Sequence, residues 1–453
     1  MFVTADGRNV ALTFTLVCSL FFAWALCNGM IDVMDKHFQE ELHLSKSQSA
    51  WVQFAHYLGY FLMSIPAGWL ASRLGYKKGI IAGLLIVAAG GFWFIPATRI
   101  NAMVHTGGIS PTVAFAGFLA GVCVIATGLT FLETIANPYT TVLGDMRFAA
   151  ARINLAQSCN GLGLIFGPII GSMYFYSKDA LGRSTGSETL YIPYLGVAIG
   201  VLVIAAIFAV ADVPDIKMED DYHLDDSMPG VSHSIWSHSH FVLAVAAQFL
   251  YVAAQAGIFS FFINYMTAET PPIPPSWASA AGSAWFEPTR AGVLALSDQG
   301  AARLASVAFA CFLAGRISGA ALLKKYSAHK VLGIYGVMNV AATLLVFLKL
   351  GWISVACVFL SYFFMSIMFP TIFALGIFGL GLRAKKASAF IVMAIMGGAV
   401  LPKLMGYVAD RFDMSRGFIV PMFCFAFVAF YGLNWPRFSK AESLSGMKIA
   451  GGH

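Results

Sequence analysis

Apolar residues fall into twelve runs separated by polar breaks, at about 10–34, 49–71, 79–98, 111–143, 150–176, 191–213, 241–266, 301–323, 330–349, 352–382, 387–409 and 416–435. Each reaches or approaches the roughly 20 residues a helix needs to cross about 30 Å of hydrocarbon. The pattern predicts an all-α membrane protein with twelve transmembrane helices. Several runs exceed that length, which leaves room for tilt or for a kink at Pro138, Pro168, Pro370 or Pro402.

The breaks divide the chain. Pro214 to His240 is long and polar, with acidic residues from Glu219 to Asp226 and histidines at 223, 233, 238 and 240. It reads as a solvated cytoplasmic linker rather than a metal site. This gives an N-terminal six-helix half, 1–213, a linker, 214–240, and a C-terminal six-helix half, 241–453. A second long break, 267–299, is rich in Pro, Ala and Ser and is expected outside. The halves echo each other. Pro138-x4-Leu143-Gly144 in the fourth run matches Pro370-x4-Leu375-Gly376 in the tenth, and glycines flank Pro168 and Pro402 in the runs that follow. Repeated six-helix halves describe a transporter.

Composition agrees. Of 453 residues, 58% are hydrophobic and 11% charged, against about 25% charged in an average soluble domain. The net charge of +6 reflects loop bias rather than a nucleic-acid partner. With the amino terminus inside, sixteen of the 28 Lys and Arg residues fall on the cytoplasmic side and ten opposite, with Arg316 and Lys403 inside runs. The bias predicts a multi-pass protein with both termini cytoplasmic. The seven cysteines sit irregularly within apolar runs and suggest neither disulfides nor a zinc site. No cleavable signal peptide is expected. No Walker sequence, Ser/His/Asp set or HExxH motif occurs, so neither an enzyme nor a bound cofactor is expected.

The informative residues are those that break the apolar pattern. Glu133 lies between Pro111 and Asp145, a stretch with no other charge, and shares a helical face with Asn137, Thr140 and Thr141. An ionisable residue at such depth reads as functional, and proton relays are one such use. The plainer reading is a structural Glu paired with a neighbouring helix. Asp32 ends a stripe with Trp24 and Asn28, close enough to the outer end to be a wet helix end instead. Asn154, Gln157 and Asn160 form a polar stripe in the fifth run. Gln248, Tyr251 and Gln255 form another in the seventh, with Phe259 and Phe262 nearby. Amides donate and accept, which suits sugar hydroxyls, although they also join helices. His56 could pair with a carboxylate or sit neutral. Arg316 suggests a structural or gating role, and Lys403 could snorkel outward.

Two sets of motifs resemble known families. Gly68-Trp-Leu-Ala-Ser-Arg-Leu-Gly75-Tyr-Lys-Lys78 resembles the major facilitator signature G-x-L-a-D-R-x-G-R-K, departing at Ser72 and Tyr76. Trp24 with Asn28 and Asp32, Leu132-Glu-Thr-Ile-Ala-Asn-Pro138, Asn154 with Gln157 and Asn160, Tyr251 with Gln255, and Phe369-Pro-Thr-Ile-Phe-Ala-Leu-Gly376 resemble the L-fucose–proton symporter family, across most of the runs. The resemblance implies a twelve-helix major facilitator fold and proton-coupled sugar uptake. It implies that Asp32 and Glu133 are the essential carboxylates, and that Gln157 and Asn160 help line the sugar cavity. His56 and Lys403 depart from that family's pattern. The expected partners are a monosaccharide, a coupling proton and the lipid bilayer. Fucose leads, followed by glucose or galactose and then N-acetylglucosamine. Trp24, Asn28, Asn137, Gln157, Asn160, Tyr251 and Gln255 are expected to bind it, with Arg73, Arg316, Pro138 and Pro370 serving gating or structure. A sodium-coupled symporter and a proton-coupled exporter of amphipathic metabolites are the alternatives.

Overall fold

The computed structural model describes residues 1–4, 7–41, 51–105, 108–175, 186–216, 234–274, 285–288 and 294–439. Eleven helical stretches among them are long and apolar enough to cross a membrane. One, Phe54–Val104, has 51 residues. At about 1.5 Å per residue it would extend some 76 Å, more than twice the hydrocarbon thickness. It lies within Trp51–His105, which breaks at Gly75 (φ 79°, ψ 177°) into α2 and α3. The left-handed φ suits glycine, and a Cβ there would lie 2.9 Å from an Asp215 carboxylate oxygen. The described residues therefore contain twelve crossings.

The others are α1 (Ala11–Glu41), α4 (Pro111–Val142), α5 (Ala149–Phe175), α6 (Tyr191–Val210), α7 (Ser239–Ser260), α8 (Asp298–Leu322), α9 (Ala328–Phe347) and α12 (Ile419–Phe438). Two crossings are interrupted: α10 is Trp352–Met365 followed by Met368–Ile377, and α11 is Ala384–Met393 followed by Gly397–Arg411. Phe262–Glu269 continues beyond α7 after a break at Phe261. The 267–299 segment holds a short antiparallel ribbon, β1 (Phe286–Pro288) paired with β2 (Leu294–Leu296). Ser297 then caps α8 by accepting from the Gly300 N–H at 3.0 Å. Most of the 214–240 linker, residues 217–233, lies outside the described residues. Its last histidine is not solvated: His240 is buried in α7, 3.2 Å from the Phe378 carbonyl.

Two prolines shape the interior. Proline cannot donate to the carbonyl four residues back. Pro138 thus frees the Thr134 carbonyl, which accepts from the Ser388 hydroxyl of α11 at 3.0 Å. Pro370, just past the break in α10, frees the Ser366 carbonyl, which accepts from Arg316 Nε of α8 at 2.8 Å. The repeated Pro-x4-Leu-Gly frame therefore places one accessible acceptor in each half. α4 ends at Val142, and its last carbonyls meet the fully buried guanidinium of Arg152. Arg152 donates to the Thr140, Thr141, Gly144 and Asp145 carbonyls and to that of Met1. A cation is favourable at a helix C-terminus.

Glycines allow the closest helix approaches. In α5, a Cβ at Gly163 would lie 2.6 Å from the Ala25 Cβ of α1, and one at Gly167 would lie 2.8 Å from the Gly29 Cα. Helices of the first six also pack on those of the second, α5 on α8 and α2 and α4 on α11.

Candidate functional site

A cavity of about 160 Å³ opens where these helices meet. An engineered cavity of about 150 Å³ is enough to hold benzene, so the space suits one six-membered ring. Its N-terminal wall is polar. Trp24 and Asn28 come from α1, His56, Tyr57 and Tyr60 from α2, Glu133 from α4, and Gln157 and Asn160 from α5. The opposite wall is largely aromatic and aliphatic, with Phe259 from α7, Phe309 and Phe312 from α8, Phe369 from α10 and Ile395 from the turn that interrupts α11. Among the described residues, only Gln255 and Arg316 add polar groups on that side.

Glu133 is 5% exposed. It faces the Tyr60 hydroxyl and the Trp24 indole, which are joined at 2.6 Å. Its Oε2 is sealed from solvent without a hydrogen-bond partner. Across the cavity, Arg316 is 2% exposed and exerts the favourable charge on it. Arg316 is held rigidly, with Nη1 donating to the Gln157 carbonyl at 2.8 Å, Nε to Ser366, and the guanidinium 4.6 Å from the centre of the Phe312 ring. Opposite charges on facing walls attract strongly in such a low-dielectric setting.

The structure gathers Trp24, Asn28, Glu133, Gln157, Asn160, Gln255, His56 and Arg316 at one site. It places others elsewhere. Asn137 stands behind the wall and accepts from Gln157 Nε2 at 2.8 Å. The Thr140 and Thr141 hydroxyls bond back to their own helix at 2.7 Å and do not extend the polar path. Tyr251 is fully buried outside the lining, its hydroxyl donating to Met365 beside the α10 break at 2.9 Å. Lys403 is exposed, as is Arg73, whose guanidinium lies 4.1 Å over the Trp69 ring. Asp32 lies in α1, and its side chain is outside the described residues. Pro138 and Pro370 act through the carbonyls they free. Sequence reasoning missed Tyr57, Tyr60, Phe309, Phe312, Phe369 and Ile395. The i, i+4 pair His56 and Tyr60 on α2 carries the one signal that could have drawn attention to that face.

One end of the bundle is closed below the cavity. Lys385 of α11 meets Asp215 at 3.3 Å and lies 4.1 Å over the Tyr76 ring. Asn154 donates to Thr371 at 3.1 Å, joining α5 to α10. Ser72, which stands where the signature expects an acid, bonds to its own helix at Trp69. The acid facing α11 is instead Asp215, just after α6. The same end holds the ion pair of Arg8 with Asp212, the bond from Lys77 to the Ala211 carbonyl at 2.8 Å, and that from Tyr139 to the Pro214 carbonyl at 2.8 Å.

Twelve apolar helices around a central cavity with one polar and one largely apolar wall define a multi-pass membrane carrier. The chain belongs to the Major Facilitator Superfamily, whose model matches residues 13–377. It is 32% identical to a glucose/galactose transporter of Brucella abortus biovar 1 (strain 9-941), over 95% of both chains. It is also 32% identical to the L-fucose-proton symporter of Escherichia coli (strain K12), over 93% of each. It resembles the crystal structure of the Major Facilitator Superfamily transporter FucP in the outward conformation. There the TM-score is 0.76 and the identity 31%, over 96% of this chain and 100% of that one.

Proposed function

We propose that this chain is a symporter that carries a monosaccharide and a proton together into the cell by alternating access. The observation that carries this reading is Glu133, nearly sealed from water, in a ring-sized cavity whose polar side chains are mostly amides and phenols. Glu133 takes the coupling proton, with Asp32 on α1 as the second carboxylate. The amides of Asn28, Gln157, Asn160 and Gln255 bind sugar hydroxyls, and Trp24 with the facing phenylalanines packs against C–H faces. The similarity to an L-fucose-proton symporter and a glucose/galactose transporter supports this substrate class.

Charge links the two cargoes. Without its proton, Glu133 attracts Arg316 across the cavity and the amides are drawn to charge. Once it is protonated, that attraction ends and the cavity presents neutral donors and acceptors to a neutral sugar. The halves 1–213 and 241–453 then rock about the site, with 214–240 as the linker. Opening requires the contacts of Lys385, Ser388 and Asn154 to part. The basic end faces the cytoplasm, placing both termini inside a bacterial inner membrane, and the monomer is the working unit. Substituting Glu133→Gln tests the reading. The variant is expected to exchange sugar across proteoliposomes yet fail to concentrate it. Accumulation against a gradient by that variant overturns the role of Glu133.

A further inference from the structure

Among the cavity-lining side chains, two hold a polar atom sealed from solvent and without a partner: Oε2 of Glu133 and Nδ1 of His56. The first belongs to the proton reading. The second has no such use. His56 is 6% exposed, and its ring lies between Tyr57 and Tyr60, with centroids at 5.5 and 5.0 Å. The Tyr60 hydroxyl accepts from the Trp24 indole and faces Glu133. A buried nitrogen without a partner is costly, and a bound group that supplies the partner removes that cost. His56 lines the cavity, and its other ring nitrogen, Nε2, is not sealed in this way.

Among the described side chains, α2 adds no amide to the lining; the polar atoms it contributes there are the imidazole nitrogens and the two phenol oxygens. The ring hydroxyls of a sugar have the amides of α1, α5 and α7 to meet. The imidazole remains for a hydroxyl on an arm beyond the ring. Glucose and galactose carry such a hydroxyl on the exocyclic carbon, whereas fucose carries a methyl group there. A methyl leaves the imidazole unpartnered, and a hydroxyl can donate to it or accept from it. We propose that His56 is a specificity-determining residue that reads the exocyclic hydroxyl, so that this carrier takes fully hydroxylated hexoses in preference to 6-deoxy sugars. The inference rests on the monosaccharide reading above. Sites built to hydrogen-bond a hydroxyl discriminate strongly against the analogue that lacks it.

The test is sugar exchange in proteoliposomes for matched pairs: D-galactose against D-fucose, D-glucose against 6-deoxy-D-glucose, and L-galactose against L-fucose. In the unaltered protein, the hydroxylated member of the transported pair is expected to exchange at least tenfold better. His56→Phe is expected to reduce that ratio at least tenfold while exchange of the deoxy sugar continues, which also reports that the variant folds. His56→Gln keeps a donor and an acceptor and is expected to restore part of the ratio. An unchanged ratio in His56→Phe, or a preference of the unaltered protein for the 6-deoxy member, overturns the role of His56 and leaves sugar transport standing. If the unaltered protein exchanges no sugar of the panel, the monosaccharide reading itself fails, and this inference with it.

Discussion

Removing the Lys385 ammonium should release the closed end of the bundle. Lys385 makes two contacts there, the Asp215 ion pair at 3.3 Å and the Tyr76 ring at 4.1 Å. The Asp215 side chain is 63% exposed, so solvent screens the pair and its worth is about 0.2–1 kcal/mol. The ring contact adds about 0.5–1 kcal/mol. Lys385→Met keeps the length of the side chain and loses both, about 1–2 kcal/mol in all. At about 1.4 kcal/mol per tenfold, the open form should gain roughly 5- to 30-fold relative to the closed one. Asp215→Asn loses the ion pair alone and should shift the balance by about 5-fold at most. Only that smaller effect should vanish near 1 M salt, where the Debye length is about 3 Å. Spin labels at the exposed positions Leu74 and Lys386 would report the separation of α11 from the α2–α3 loop. Unchanged distances in both variants would refute the latch. A shift in Lys385→Met that ignores salt, with none in Asp215→Asn, would show that the Tyr76 contact, not the charge pair, closes this end.

Arg152→Leu should leave the last carbonyls of α4 buried without a donor, at about 1–3 kcal/mol each, and size-exclusion in detergent should show little folded protein. Arg316→Met should cost about 3 kcal/mol or more by stripping the Ser366 and Gln157 carbonyls of a charged donor; the temperature of thermal inactivation should fall sharply, with Arg316→Lys recovering only part because it lacks the fork. At the opposite end, Lys349 bonds to Asp413 at 2.9 Å and to Glu269 at 3.4 Å. Burial works against the Asp413 charge, yet the bonds from Lys349 and the Arg416 N–H outweigh it and hold the carboxyl below its ordinary range. The Asp413 bond likewise raises Lys349. A depressed acid stabilises above its unfolded pKa and loses that stability as pH falls through the folded one; a raised base does the reverse. Asp413→Asn should therefore lower the melting temperature slightly between about pH 5 and 10, and the difference should fade in stronger acid or base.

The twelve crossings were legible because membrane helices satisfy every backbone group internally, so length and apolarity alone mark them. The polar cavity residues were legible for the same reason. Glu133, Asn28, Gln157, Asn160 and Gln255 stand out in apolar helices, and all five line the cavity. Aromatic residues give no such contrast: Phe309 and Phe312 read alike facing lipid, core or cavity. Tyr251 misled because its hydroxyl serves a carbonyl at a helix break that the apolar pattern does not reveal. Asn137 shares a face with Glu133, but Gln157 reaches it first. The prolines were recognised as a repeated frame, while the partners of their freed carbonyls, Ser388 and Arg316, lie 254 and 50 residues away from them in sequence. The Asp215–Lys385 pair, 170 residues apart, was hidden by the same distance.

The central claim is that sugar and proton move together through Glu133. The most direct measurement is the external pH of a lightly buffered suspension of proteoliposomes when sugar is added without a membrane potential. Alkalinisation that follows the sugar, and that disappears in Glu133→Gln while sugar exchange persists, is the predicted result. Sugar entry with no change in pH, or one that survives Glu133→Gln undiminished, would contradict it.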